Sequence, residues 1–157
     1  MKRLISSIAA IGAVLLMAVT AQASGAGAVS VTQTFHNATQ TMPSNQPCTG
    51  VPGTLTLTFN GVSHFNFLTS GVGAGTGWGT FTATGTFSFV GADGVTFTGQ
   101  FMNWDGQNFN LQNFAATSTL IVHGTGSDGS SLTFHEVAHM SVSASGITLS
   151  FDKPTCG

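Results

Sequence analysis

The chain has 157 residues, a formal net charge of −2 and only 5% charged residues, whereas globular proteins typically carry about a quarter. Nucleic acids and anionic membrane surfaces are bound through clusters of cations. From residue 24 onward the only charged side chains are Asp93, Asp105, Asp128, Glu136, Asp152 and Lys153. One lysine cannot form such a cluster, so we expect neither nucleic acid nor a membrane as a partner.

The first residues have the three parts of a secretory signal peptide. A basic start, MKR, precedes an apolar run at residues 8–19, and the tripeptide AQA at 21–23 forms a cleavage site. The apolar run is too short to span a bilayer. The sequence therefore predicts a signal peptide at residues 1–23, cleavage before Ser24, and a secreted or periplasmic single domain of residues 24–157.

Cys48 and Cys156 are the only cysteines, and both lie in the exported part of the chain. An even number of cysteines in an oxidising compartment favours a disulfide. The sequence has no C-x-x-C motif, which is the cysteine spacing typical of redox and metal sites. We predict a Cys48–Cys156 bridge, which contributes about 4 to 5 kcal/mol in the chain-entropy description of long closed loops.

Apolar and polar residues alternate with a period of two along most of the mature chain, which is typical of strands with one buried face. Turn-forming residues separate the runs at 60–61, 91–94, 127–130 and 145–146. We therefore expect an all-β antiparallel meander of about eight strands. In chain order, the alternating sets are Leu55, Leu57 and Phe59; Phe81 to Phe89; Val95 to Phe101; Phe109 and Leu111; Leu120 and Val122; Leu132 to Val142; and Ile147 to Phe151.

An open meander has two unpaired edges, and closure into a barrel removes them. Closure would also bring the regions of Cys48 and Cys156 together. Outer-membrane barrels show the same alternation, but tyrosine is absent and only Trp78 and Trp104 could form aromatic girdles. We predict a closed up-and-down β-barrel outside the membrane. Barrels of about eight strands either fill with side chains or hold one small ligand, and the 13 phenylalanines suit either.

The segment FHEVAH contains His135, Glu136 and His139 in the zinc-protease order H-E-x-x-H. On a helix the two imidazoles lie on one face and share a zinc ion, and the glutamate acts on the attacking water. On a strand the two histidines are about 13 Å apart, and the glutamate points to the opposite face.

The surroundings of this motif favour a strand. Serine, threonine and β-branched residues flank it, and the period-two alternation continues through it. Glu136 is the only glutamate, so no second glutamate can serve as a downstream ligand. We predict a strand at 131–143, with no metal and no catalytic residue. The alternative is a zinc-dependent hydrolase in which His135 and His139 bind the metal and Glu136 is catalytic.

The strand interpretation places Glu136 on the apolar side, in phase with Phe134 and Ala138. A buried carboxylate is costly unless it is paired or neutralised. One explanation is a local bulge that turns the side chain outward. The other is a polar cluster inside the barrel, and the sequence leaves both open.

Two residues are candidate partners of Glu136 in such an interior cluster. A tight hairpin at 145–146 brings Lys153 opposite or diagonal to Glu136, which predicts a structural ion pair. His64 falls on the core-facing side if 60–61 is a two-residue hairpin, although Phe65 and Phe67 favour the opposite register.

Four segments, PCTG at 47–50, GTGSDGS at 124–130, FHEVAH at 134–139 and FDKPTC at 151–156, resemble a group of exported bacterial proteins of unknown function. The resemblance implies export and an all-β domain, and it assigns no site residues. We therefore expect a monomeric, disulfide-bonded, non-catalytic barrel without a cofactor, with a small apolar ligand as its candidate partner. A passive envelope or extracellular structural role is the remaining alternative.

Overall fold

A computed structural model of the protein describes residues 22–24 and 27–157. The predicted signal peptide lies outside these residues except for the backbone of 22–23. The strands are β1 Gln22–Ser24, β2 Ala28–Asn45, β3 Pro52–Leu68, β4 Gly77–Gly91, β5 Thr96–Phe109, β6 Phe114–Gly126, β7 Ser131–Ser143 and β8 Gly146–Cys156. They form one antiparallel sheet in sequence order, which confirms the predicted all-β meander. None of the described segments is a helix long and apolar enough to cross a bilayer.

Three of the four predicted turns are confirmed, but the turn predicted at Asn60–Gly61 is wrong. β3 continues through both residues, pairing them with Thr84 and Ala83 of β4. The reason lies on β2, where a bulge at 35–38 gives Asn37 a φ of 48°. The Asn37 backbone N–H donates to the Asn60 side-chain oxygen at 2.9 Å, so Asn60 completes a bulge rather than forming a turn.

The sheet curls around a core of phenylalanines on its inner face. Phe35 and Phe59 meet the ring of Phe81 edge-on, with centroids 6.1 and 6.4 Å away. The buried core draws on five strands, β2, β3, β4, β5 and β7. Because β2 and β7 are not neighbours in the sheet, only a strongly curved sheet brings their inner faces to one core. Its buried members are Phe35, Phe59, Ala83, Phe87, Phe89, Phe101, Leu132 and Phe134.

Glycines on the inner face make room for these rings. A Cβ on Gly124 would lie 2.6 Å from the Phe87 ring. A Cβ on Gly85 would lie 2.7 Å from the Phe59 Cα atom. Sheets need such glycines where they bend sharply, so the alternation of glycine and phenylalanine allows the curvature as well as the packing.

The predicted Cys48–Cys156 disulfide is confirmed, with Cα atoms 5.8 Å apart and a sequence separation of 108. Cys48 lies in the β2–β3 loop and Cys156 ends β8. In a flat sheet β3 and β8 would be about 24 Å apart, so the bridge joins two distant strands across the curl. The buried Gln46 side chain shapes this loop, since its oxygen accepts from the backbone N–H groups of Cys48 and Thr49. We call the end of the sheet that carries the bridge the disulfide end, and the opposite end along the strand direction the far end.

The sheet is not closed, so the predicted closed barrel is not formed by the described residues. β8 pairs with β7 and has no other partner strand. Every residue of β8 is exposed, and its apolar residues Ile147, Leu149 and Phe151 remain 64%, 51% and 37% exposed. The strand therefore has little packing of its own, and we call the opening between its unpaired edge and the β1–β2 edge of the sheet the seam.

We expect the disulfide to stabilise β8 in particular. Replacing both cysteines by serine should lower the free energy of unfolding by about 4 to 5 kcal/mol. Amide hydrogen exchange measured by mass spectrometry should accelerate across 148–155 before it does in the core of β4, because β8 has no buried side chain. Ser150→Ala, which keeps the bridge, is the control. Uniform acceleration of exchange across all strands, or no acceleration in β8, would contradict this role. Reducing the disulfide of the folded wild type provides the same comparison without substitution.

Candidate functional site

The H-E-x-x-H residues lie on a strand, as predicted. β7 spans Ser131–Ser143, and the pairing register places Glu136 opposite Leu120 on the inner face. His135 and His139 alternate to the outer face, where Thr117 Oγ1 lies 2.8 Å from His139 Nδ1. Two histidines four residues apart on a strand are about 13 Å apart. Within the described chain, no three His, Cys, Asp or Glu side chains are grouped to hold a metal ion.

The predicted ion pair between Glu136 and Lys153 is wrong, because a bulge shifts the register of β8. Val142 pairs with Ile147, but Ser141 pairs with Leu149, so Thr148 is an additional residue. Its hydroxyl donates to the Ser141 carbonyl at 3.2 Å. Beyond this residue every β8 side chain changes face, which moves the lysine to the outer surface and leaves Glu136 opposite Pro154.

Lys153 and His64, both predicted in an interior cluster, lie on the outer face instead. The Lys153 ammonium lies 5.3 Å from the centroid of the Phe151 ring, which stacks on His139. His64 pairs with Thr80, and its Nδ1 lies 2.7 Å from the Thr32 hydroxyl. The β3 register explains this placement, since without a turn at 60–61 the neighbouring Phe65 takes the inner face.

The partner that the structure provides for Glu136 is Asp152. The bulge turns Asp152 to the inner face, opposite Ala138 and diagonal to Glu136. Burial first, and then a hydrogen bond with Asp152 and its negative charge, raise the pKa of Glu136 from 4.5 to about 7. Two carboxyl groups in contact favour a shared proton because both cannot be ionised without repulsion.

A third carboxyl group and an amide lie on the same face, two strands away from Glu136. Asn103 is 3% exposed, and its side-chain N–H donates to Asp105 at 2.6 Å. The side-chain oxygen of Asn103 is buried without a hydrogen-bond partner. In the register, Asn103 shares a row with Glu136, and Asp105 shares the next row with Asp152. We call Asn103, Asp105, Glu136 and Asp152 the acidic band.

The acidic band divides the inner face into two apolar regions. At the disulfide end the phenylalanine core is buried. At the far end the apolar side chains of the inner face are half-buried on each of β2, β3, β5, β6 and β7, and Gln107 of β5, which lies among them, is exposed. Phe109 stacks on Phe65 and Phe67 there, with centroids 6.0 and 6.2 Å away. We call this region the far-end apolar face; it consists of Val29, Val31, Phe65, Phe67, Phe109, Phe114, Met140 and Val142.

The outer surface has two shallow depressions, each next to a glycine. One lies beside Gly61 and the other beside Gly99 and Gly124. Threonines line much of both, and neither lining contains a charged carboxylate. The concentrated chemistry of the described residues is therefore on the inner face.

Comparison with known proteins finds no matching family model, no matching curated protein and no matching solved structure. The resemblance to exported bacterial proteins stays a prediction.

Sequence reasoning identified Glu136, and it could name Asp105 and Asp152 as further carboxyl groups but could not predict that they and Asn103 lie on the same face. The spacing of Phe101, Asn103 and Asp105 was a usable signal. Residues two apart in a strand lie on the same face, so a strand with Phe101 in the core places Asn103 and Asp105 on the core side as well. Asp152 had no such signal. Its neighbours Leu149, Phe151 and Lys153 indicated the opposite face, and only the bulge at Thr148 reverses it.

We expect Glu136 to make stability depend on pH. A carboxyl whose pKa is higher in the folded state stabilises the fold below pH 4.5, and this contribution is lost as the pH rises to about 7. Glu136→Gln should therefore match the wild type near pH 4.5 and exceed it at pH 8. The gain should be on the order of 1 to 2 kcal/mol, since solvent screens a half-buried group. Denaturant unfolding across this range measures it.

Asp128→Asn is the control for this experiment. Hydrogen bonds from the Ser130 side chain and backbone lower the pKa of Asp128, so its contribution is present above pH 3.8 and is lost only at lower pH. This variant should shift the whole curve of unfolding free energy against pH without altering its slope between pH 4.5 and 8. A Glu136→Gln curve parallel to that of the wild type would show that Glu136 is not coupled to folding.

Proposed function

We propose that this protein is an exported, non-catalytic binding protein that holds a small ligand with an apolar body against the far-end apolar face. The observation that carries the proposal is the contrast between the two ends of the inner face. The same sheet buries most of its phenylalanines toward the disulfide end and leaves the far-end apolar side chains only half-buried. Ligand sites are concave and mostly apolar, with a few polar groups that fix orientation.

Apolar side chains that are only half-buried on a curved inner face are stabilised when an occupant removes their remaining surface from water. Each square ångström of apolar surface removed from water stabilises by about 25 cal/mol. Contiguous apolar patches on monomeric proteins commonly mark binding sites. Phe65, Phe109 and Met140 lie in adjacent rows of this face, so a ligand a few carbon atoms long would contact several strands at once.

The proposal includes export and a monomeric state. The basic, apolar and A-x-A segments of residues 1–23 support a cleaved signal peptide. The Cys48–Cys156 bridge is compatible with the periplasm or the extracellular space, where disulfides persist.

A catalytic role has less support from the geometry. The strand conformation of β7 separates His135 and His139 from Glu136, whereas a zinc hydrolase needs them on one helix face. Carboxylate-pair hydrolases keep their two carboxyl groups at least about 5 Å apart so that a sugar or water fits between them. A direct hydrogen bond between Glu136 and Asp152, which helps to raise the pKa of Glu136, differs from that separated arrangement.

Adjacent alanines on β6 provide a matched test of the binding face. Ala116 pairs with Gln107 and Met140 on the inner face, and Ala115 pairs with Asn108 and Ser141 on the outer face. The affinity for n-octanol is measured by NMR titration. Ala116→Phe should weaken this affinity about tenfold or more, since the new phenylalanine ring occupies the site. Ala115→Phe should bind like the wild type. Equal loss in both variants, or no n-octanol binding to the wild type, would refute the proposal.

A further inference from the structure

The charges of this protein are divided between the two faces of its sheet. Asp105, Glu136 and Asp152 are on the inner face, and Asp93 and Asp128 are in turns. The lysine and the β7 histidines are on the outer face. In the described part of the chain, the inner face thus carries three carboxyl groups and no basic side chain to neutralise them.

The amide of Asn103 adds an independent observation. Its side chain is 97% buried, since only 3% is exposed, and its oxygen has no hydrogen-bond partner. A buried acceptor left unpaired is costly, and such groups are usually satisfied by a donor. Because Asn103 donates its N–H to Asp105, its unused capacity is for accepting. The band as a whole therefore offers acceptors and negative charge.

We infer that the ligand of the far-end apolar face is an amphiphilic ammonium cation, whose charged head binds at the acidic band and whose apolar tail lies along Phe65, Phe109 and Met140. This inference rests on the proposed function and specifies the chemistry of its ligand. The rows of the sheet place the two parts side by side, because the band occupies the rows next to Phe65 and Met140.

An organic cation fits the band better than a metal ion. The Asp105 and Glu136 positions are two strands apart, about 10 Å along the sheet, whereas carboxylate oxygens bind calcium at about 2.3 to 2.6 Å. Phe81 pairs with Asp105 on the inner face. A phenylalanine ring beside a carboxylate suits an alkylammonium head, which is attracted by both the charge and the ring face.

Binding should depend on pH through Glu136. The groups around it are Asp152 on β8, Asp105 on β5, and the uncharged Leu120 on β6, and no described titratable side chain of β2 or β3 is on the inner face. Ionisation of Glu136 therefore adds a negative charge beside two other carboxyl groups, with no described basic side chain on this face to offset it. Cation binding should strengthen as the pH rises through about 7, where Glu136 loses its proton.

The test compares n-octylammonium with n-octanol, which share one tail and differ in the charge of the head. NMR titrations of the mature protein at pH 5 and pH 8 measure both affinities. At pH 8 the cation should bind about tenfold more tightly than the alcohol, and the preference should shrink at pH 5. Glu136→Gln should lower the preference at pH 8 to its pH 5 value, and Asp105→Asn should lower it at both pH values.

Asp128→Asn, which removes a carboxylate from a turn, controls for net charge and should leave the preference unchanged. Equal affinities for the two probes at pH 8 would overturn the inference while leaving the proposed function in place. An equal loss of cation affinity in Asp128→Asn and Glu136→Gln would also overturn the inference, because the cation would then be attracted only by the net negative charge of the protein. Failure of both probes to bind would refute the proposed function itself.

Discussion

The curvature of the sheet is the constraint on which the rest of this structure depends. Seven long strands in sequence order would form a flat sheet with both faces exposed, and such a sheet has no core. Phenylalanines facing glycines allow the strands to bend, and the Cys48–Cys156 bridge joins the β2–β3 loop to the end of β8. Curvature converts one face of a simple meander into an interior, which is where both the core and the candidate site lie.

The bridge also explains why the two ends of the molecule differ. At the disulfide end, Cys48 and Gly157 both lie against the Thr133 carbonyl, so β8 and the β2–β3 loop meet at β7. At the far end no comparable connection joins β8 to β2 in the described residues. Because the seam is unsupported there, the inner face is less covered, and its apolar side chains are only half-buried.

The sequence predicted those features that depend on a repeated pattern. Period-two alternation revealed the strands and the sheet because every strand repeats the signal several times, and the even cysteine count revealed the bridge. The errors came from single residues that break a pattern. Asn60–Gly61 has the composition of a turn but completes a bulge on the neighbouring strand, which depends on a partner 23 residues away. Thr148 has no composition that marks it as an additional residue.

The second error had the larger consequence, because it concerned the partner of the only glutamate. One inserted residue exchanges a lysine for an aspartate beside Glu136, and so replaces a neutral pair by two acids. Register in a β-sheet is set jointly by the turn and by the burial of one face. In β8 the burial preference is weak, since all of its residues are exposed. The alternation of apolar and polar residues was therefore least informative in β8, the strand that provides the partner of Glu136.

The position of the acidic band makes a purely structural role difficult to sustain. Carboxyl groups that serve solubility belong on the outer surface, yet three of the five acidic side chains lie on the inner face while the outer face is formed largely by threonine and serine hydroxyls. The burial of Glu136 costs desolvation, which raises the pKa of this carboxyl group. Polar groups that only specify a fold are expected to satisfy one another. Here the hydrogen bond between Glu136 and Asp152 needs a proton that is lost as the pH rises through about 7, and the amide oxygen of Asn103 has no partner, so the band is incomplete as a structural network, as the proposed cation site requires.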